Sequence, residues 1–264
     1  FDPKVYYTIR SNSRIALLAS FHKIMCWLDK KSIETMLKMR DDFNISTFLE
    51  TGTFKGINAK VHAYNFKEVL TCDIKEEYLI DARKRLEPYK NVVVVAQSSP
   101  DFIKDFIKKY NEEGRTDIVF FFLDAHFYDP ALPPEEKWVV INELKALKGF
   151  KNAIVCMHDF DAQGLGHCTY DGVDLGWPLV KEDVLNVNPD FHLYTNKKEF
   201  CEIYDENTIK DVPGIELDED TLSNIKYAHT TERLTYRGLL YCTPKELDLT
   251  RYQLVKLDKD AVRA

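Results

Sequence analysis

A chain of 264 residues, with 45% hydrophobic and 30% charged side chains, has the composition of one large folded domain rather than a disordered one. Its formal net charge of −7 repels a phosphate backbone, so no nucleic-acid partner is expected. No apolar run reaches the length of a membrane span and no secretion signal is present, while the six cysteines are scattered without a C-x-x-C pair. These features predict reduced thiols, a cytoplasmic location and no membrane partner. The chain opens on Phe1 rather than Met, which leads us to expect one module of a larger multidomain polypeptide.

Residues 1–46 form the first region. Apolar residues at helical spacing between 14 and 39, among them Ile15, Leu18, Phe21, Ile33 and Met36, predict two helices. They form either a layer on the sheet or a lid carrying Phe21 and Trp27. Residues 47–60 then read as a short apolar strand, a turn with Gly52 and Gly56, and a helix. That order makes a ligand site at the carboxyl end of a parallel strand, because Gly52 can take φ > 0 and a helix N-terminus offers free N–H groups. The acid at Glu50 would repel a pyrophosphate and welcome a cation. S-adenosylmethionine is such a ligand, since it carries both a sulfonium and an ammonium.

A second strand over 68–73 ends in Asp73, placed where α/β nucleotide folds hydrogen-bond a ribose. After a helix over 78–86, a run of four valines predicts a buried parallel strand that ends at Gln97 and Ser98, side chains suited to an adenine or ribose edge. A helix over 101–110 leads to the most apolar strand, 117–123, which runs into Asp124-Ala125-His126. A helix over 135–147 and a strand over 153–157 follow, ending in His158-Asp159. Alternating strands and helices with short connections predict a parallel sheet covered on both faces. Beyond Phe160 a glycine-rich loop carries Asp171, Asp174, His167 and Trp177. A helix over 179–187 comes next, then strands over 191–195 and 238–242, joined by a long acidic segment. The domain is expected to span 47–250, with a charged surface tail over 251–264.

The strand ends thus carry Glu50, Asp73, Gln97/Ser98, Asp124 and His158/Asp159 along one edge. In this order, and most specifically in Glu-Thr-Gly at 50–52 and Leu-Asp-Ala-His at 123–126, residues 46–243 resemble the Rossmann-like (class I) S-adenosylmethionine-dependent methyltransferases. The nearest likeness is to the metal-dependent sugar O-methyltransferase branch. The resemblance implies an α/β fold with a doubly wound, mostly parallel sheet, a helical N-terminal extension and a late antiparallel strand pair. It places Glu50, Thr51, Gly52, Thr53, Gly56 and Asp124 around the methionine end of the donor, Asp73 at the ribose hydroxyls, and Gln97 and Ser98 at the adenine. The chain departs from the pattern at Phe54, where many members carry a second glycine. It departs again at His158-Asp159, where the sugar enzymes carry an acidic pair that helps to bind magnesium.

By the same resemblance Asp124, His158 and Asp159 would hold a divalent cation, Mg²⁺ or, given the imidazole, Mn²⁺. A hydroxyl acceptor must lose its proton as the methyl transfers, to a base or by metal polarisation. His126 is placed to be that base, with Asp124 or Asp159 orienting it. The expected acceptor is a sugar or glycan hydroxyl, because Trp177 offers a stacking face and Asp171 and Asp174 accept from hydroxyls. Another small hydroxylated metabolite is the alternative acceptor, and a non-catalytic methyltransferase-like module is the alternative role. A nicotinamide-dependent dehydrogenase is disfavoured by the missing Gly-x-Gly-x-x-Gly.

Overall fold

The computed structural model describes residues 29–126, 131, 137–202 and 236–260. Five parallel strands follow one another in the first part of the chain: β1 (Thr47–Thr51), β2 (Glu68–Asp73), β3 (Val92–Ala96), β4 (Val119–Leu123) and β5 (Ala153–His158). Helix α1 (Lys30–Asp42) precedes them, and α2 (Ile57–Ala63), α3 (Glu76–Leu86), α4 (Ser99–Glu112) and α5 (Val139–Ala146) lie between them. A small hairpin, β6 (Thr169–Tyr170) and β7 (Val173–Asp174), leads to α6 (Trp177–Val187), β8 (His192–Thr195), β9 (Leu239–Thr243), α7 (Leu249–Tyr252) and β10 (Val255–Lys256).

The main sheet has the order β10-β8-β9-β5-β4-β1-β2-β3. Its late strand β9 runs antiparallel to both β5 and β8, so the predicted strand pair joins the main sheet. This is the Rossmann-like, mostly parallel arrangement that the resemblance implies. The chain winds outward from β1 through β2 to β3, then returns to β4 on the other side, so a crevice opens at the carboxyl ends of β1 and β4.

Every residue of β1, β4 and β5 is buried, which is why β4 and the first five residues of β5 read as unbroken apolar runs. Alternation along the pleat sends Phe48, Phe120, Phe122, Ile154 and Tyr241 to one core, with Ile33, Met36 and Met39 of α1. Leu49, Phe121, Leu123, Val155 and Met157 face the opposite core, beneath α4, α5 and α6. The first of these cores makes α1 a layer on the sheet. Asp29 caps it, accepting from the Lys31 and Ser32 N–H groups at 3.0 and 3.3 Å. The proposed lid residues Phe21 and Trp27 lie outside the described residues.

Three sequence expectations change. The valine strand β3 is the sheet's edge, and Val93 stands 49% exposed, because nothing in the winding order covers its far side. Residues 251–257 are not a surface tail: Val255 and Lys256 pair with β8, while Tyr252, Leu254 and Leu257 are buried. Trp177 is fully buried and its indole N–H donates to the Lys259 carbonyl at 3.1 Å. It has no free face for a sugar.

Candidate active site

Register places the first acid. Glu50 sits opposite Thr71 of β2 and Phe122 of β4, at the point where β1 ends. Its carboxyl is 2% exposed. Thr71 Oγ1 donates to one oxygen and Asn58 Nδ2 to the other, both at 2.7 Å, and Thr53 and Thr71 share a hydroxyl–hydroxyl bond. These partners are all neutral. Burial pushes the Glu50 carboxyl up to about 8; the two donors pull against that, and the Asp124 and Asp73 charges add to it.

Gly52 is required at the turn. Its φ is +83°, and a Cβ there would lie 2.4 Å from the Asp124 carbonyl oxygen. This close approach brings the ends of β1 and β4 together. Gly56 also takes a positive φ, +72°, and packs against Leu86 and Ala82 of α3. Phe54, between them, has φ 43°, so it adopts without glycine a conformation that glycine favours. Its ring packs edge-on against Tyr78, with centroids 4.9 Å apart.

Asp73, at the end of β2, accepts from the Phe54 N–H and the Lys75 N–H, one on each oxygen, both at 2.9 Å. The turn that holds Glu50 therefore also orients Asp73. Each carboxylate oxygen retains a second acceptor site. The next residue, Ile74, is 73% exposed and went unnoticed in the sequence. Gln97 and Ser98 stand beyond Asp73 but turn to α4: Gln97 Nε2 donates to Asp105 and Ser98 Oγ to Asp101, at 2.8 and 2.7 Å.

Across the crevice, the predicted residues of β4 and β5 do come together. Glu50, Gly52, Thr53, Asn58, Phe122, Asp124 and His158 line one cleft. Thr51 accepts from the Asp124 N–H at 3.2 Å. His158 Nδ1 lies 2.9 Å from Asp124 Oδ1 and 3.3 Å from Asp159 Oδ1. Burial lowers the His158 imidazole, but the two aspartates outweigh it and hold the group above its ordinary value. Asp159 has φ 59° and is 3% exposed. It accepts from Arg237 Nε on one oxygen and from the Cys168 thiol at 3.1 Å on the other. Burial opposes its charge, yet Arg237 and His158 hold it well below the ordinary carboxylate range.

Arg237 was not legible locally. It is pinned by a bridge to Gly166 and by Gly238, whose missing Cβ would fall 1.8 Å from the Phe160 carbonyl oxygen. It lies 78 residues from Asp159 in sequence, so only the fold joins them. Glu143 of α5 was missed as well: it is fully buried, and burial raises its carboxyl against the pull of Ser99 and Thr51 beside it.

The residues test two groups differently. For a divalent cation, Asp124, His158 and Asp159 bring one ligand atom each within 4.8 Å of the others. Asp159 is already engaged by the Arg237 guanidinium and would have to release it to ligate an ion, and His158 Nδ1 is turned to the two aspartates. An ion would therefore have to displace the Arg237 pair. The expected base changes role too, because His126 Nε2 meets the His158 carbonyl at 3.1 Å and its Nδ1 is buried without a partner. For a ligand with a cationic end and a vicinal diol, Glu50 and Asp73 at neighbouring strand ends do fit.

No family model and no curated protein matches the chain. Solved structures with a similar arrangement include a Streptococcus mutans protein assigned as a methyltransferase and bound to S-adenosylhomocysteine. It shares 15% identity over 85% of this chain and 97% of its own, with a TM-score of 0.40. The N-methyltransferase NodS of Bradyrhizobium japonicum shares 11% identity over 89% and 100%, at 0.39. Spermidine synthase of Thermotoga maritima shares 13% over 85% and 63%, at 0.44. Likeness of this degree transfers neither ligand nor reaction to this chain.

Proposed function

We propose that the chain is an S-adenosylmethionine-dependent methyltransferase acting on a hydroxyl of a small acceptor. One observation carries the reading. A buried carboxyl without a cationic partner and a carboxylate oriented by two backbone N–H groups stand at adjacent strand ends, across a crevice from an aspartate–histidine pair.

S-adenosylmethionine, when bound, supplies a methyl group made electrophilic by its sulfonium. Glu50 offers the cationic end of the donor a carboxyl in a water-poor setting, where a charge pair is stronger than in bulk solvent. The two free acceptor positions of Asp73 match two ribose hydroxyls. Exposed Ile74 gives a flat base an apolar surface. The proton of the acceptor hydroxyl goes to His158. Carboxylates only accept, so Nδ1 carries the hydrogen facing Asp124 and Nε2 is left as the basic nitrogen. Asp124 orients the ring and favours its charged form. Asp159, tied to Arg237, faces the same Nδ1 and helps to hold the ring without touching the reaction. No step is assigned to a metal ion.

A glycan remains one class of hydroxylated acceptor, without the stacking contribution once attached to Trp177. Calorimetric titration with S-adenosylmethionine and S-adenosylhomocysteine tests the donor. Micromolar binding is expected, and Asp73→Ala should weaken it by about 1.5–3 kcal/mol, as for hydrogen bonds to a charged group. Absence of binding would favour a non-catalytic module instead.

A further inference from the structure

We infer that the cleft exchanges a proton for its cationic ligand: Glu50 carries the proton when the cleft is empty and gives it to solvent when a cation seats against it. The inference rests on the donor reading above and adds to it a means of selecting charge.

The surroundings of Glu50 carry the argument. From α2 it meets Asn58, and from β2 it meets Thr71, with Asp73 two residues further on. Beyond β4 stands Asp124. From β5 the facing group is His158, whose Nδ1 is committed to Asp124 and Asp159. No ion pair to Glu50 occurs among the described residues. An ionised Glu50 would therefore put a further negative charge near Asp124 and Asp73, while 2% exposed to water. Two neutral hydrogen bonds do not offset that cost. Burial accordingly raises the group to about 8, so most molecules hold it neutral at pH 7.

A ligand cation reverses the balance. It favours the carboxylate, and the displaced proton leaves to buffer, one for each cation bound. A neutral ligand gains nothing by the exchange and leaves the proton in place. S-adenosylmethionine offers two cations, its ammonium and its sulfonium; S-adenosylhomocysteine keeps only the ammonium; methylthioadenosine has neither.

Titration calorimetry of the full chain at pH 7, in phosphate and in Tris, reads the protons directly from the difference in observed heat. About one proton should be released per S-adenosylmethionine bound, and its affinity should rise by up to about tenfold per pH unit below the Glu50 midpoint. Methylthioadenosine should release none. Equal release by S-adenosylhomocysteine would assign the exchange to the ammonium, and release by the sulfonium donor alone would assign it to sulfur. Glu50→Gln, which keeps the shape and removes the proton, should bind without release and without the pH slope. Binding of the donor with no proton released would overturn the inference and leave the donor reading standing. Proton release persisting in Glu50→Gln would overturn the assignment to Glu50. If none of the three ligands binds, the donor reading itself falls.

Discussion

Glu50 and Asp159 are both carboxyls at strand ends, 2% and 3% exposed, and yet the first is pushed up to about 8 while the second is held well below its ordinary range. Burial acts on both in the same direction. The difference lies in their partners. Asp159 has the Arg237 guanidinium and the His158 ring against one oxygen, whereas Glu50 has an amide and a hydroxyl. A buried carboxyl thus keeps its charge only where the fold supplies a cation. In the β4–β5 wall Asp159 meets a cation of the fold, Arg237, whereas Glu50 in the β1–β2 wall meets none among the described residues. On the proposed function, that contrast separates a wall for positioning and proton transfer from one that receives a cationic ligand.

The contrast is tested most severely at His158. His158→Ala should lower methyl transfer by roughly 10²–10⁴-fold, the worth of a positioned base, while donor affinity stays within about twofold. The measurement is transfer of labelled methyl to any hydroxylated acceptor that the wild type uses. Chelator should leave the wild-type rate intact, because Asp159 is engaged by Arg237 and Asp124 by His158. A rate abolished by chelator and restored by Mn²⁺ would show that an ion does displace the Arg237 pair.

Arg237 comes next. Arg237→Leu leaves Asp159 buried without its guanidinium and should cost about 3–5 kcal/mol in urea denaturation. Asp159→Asn in the same background should recover much of the loss, because no charge then remains to be compensated. Strictly additive losses would mean that the two side chains are not a unit.

How far the site could be read from sequence follows the same division. Glu50, Gly52, Asp73, Asp124, His158 and Asp159 each sit at the end of an apolar strand, so winding order alone aligns them along one edge. Thr71 was within reach too, since parallel register pairs it with Glu50. Arg237 was not, because its reach to Asp159 depends on Gly238 packing against the Phe160 backbone, a contact between residues far apart in the chain. His126 misled because proximity to Asp124 in sequence suggested a base, while the fold bonds its Nε2 to the His158 carbonyl. Trp177 misled for a related reason: composition cannot distinguish an aromatic ring in a loop from one at the first turn of a buried helix. The tail after Arg251 looked solvated because charged residues are interspersed through it, yet Leu254 and Leu257 close the core beside β8.

The smallest effect concerns stability as a function of pH, and here the two carboxyls should act with opposite sign. The folded-state value of Glu50, about 8, lies above its ordinary 4.5. Between those values the native chain holds a proton that the unfolded chain has released, so this group makes stability fall as pH rises. The slope is at most about 1.4 kcal/mol per pH unit, and the contribution is fully present only below the unfolded value. Asp159 is depressed, so its contribution is present above the ordinary carboxylate value and is lost only as pH falls toward its folded one. Glu50→Gln removes the first term and leaves the second. Urea denaturation at about pH 5.5 and about pH 7.5 should therefore show the wild type losing more stability than Glu50→Gln over that interval, with no divergence in the acid range where Asp159 titrates. Parallel curves would mean that Glu50 is ionised in the empty cleft, and the two walls would then differ in shape but not in charge.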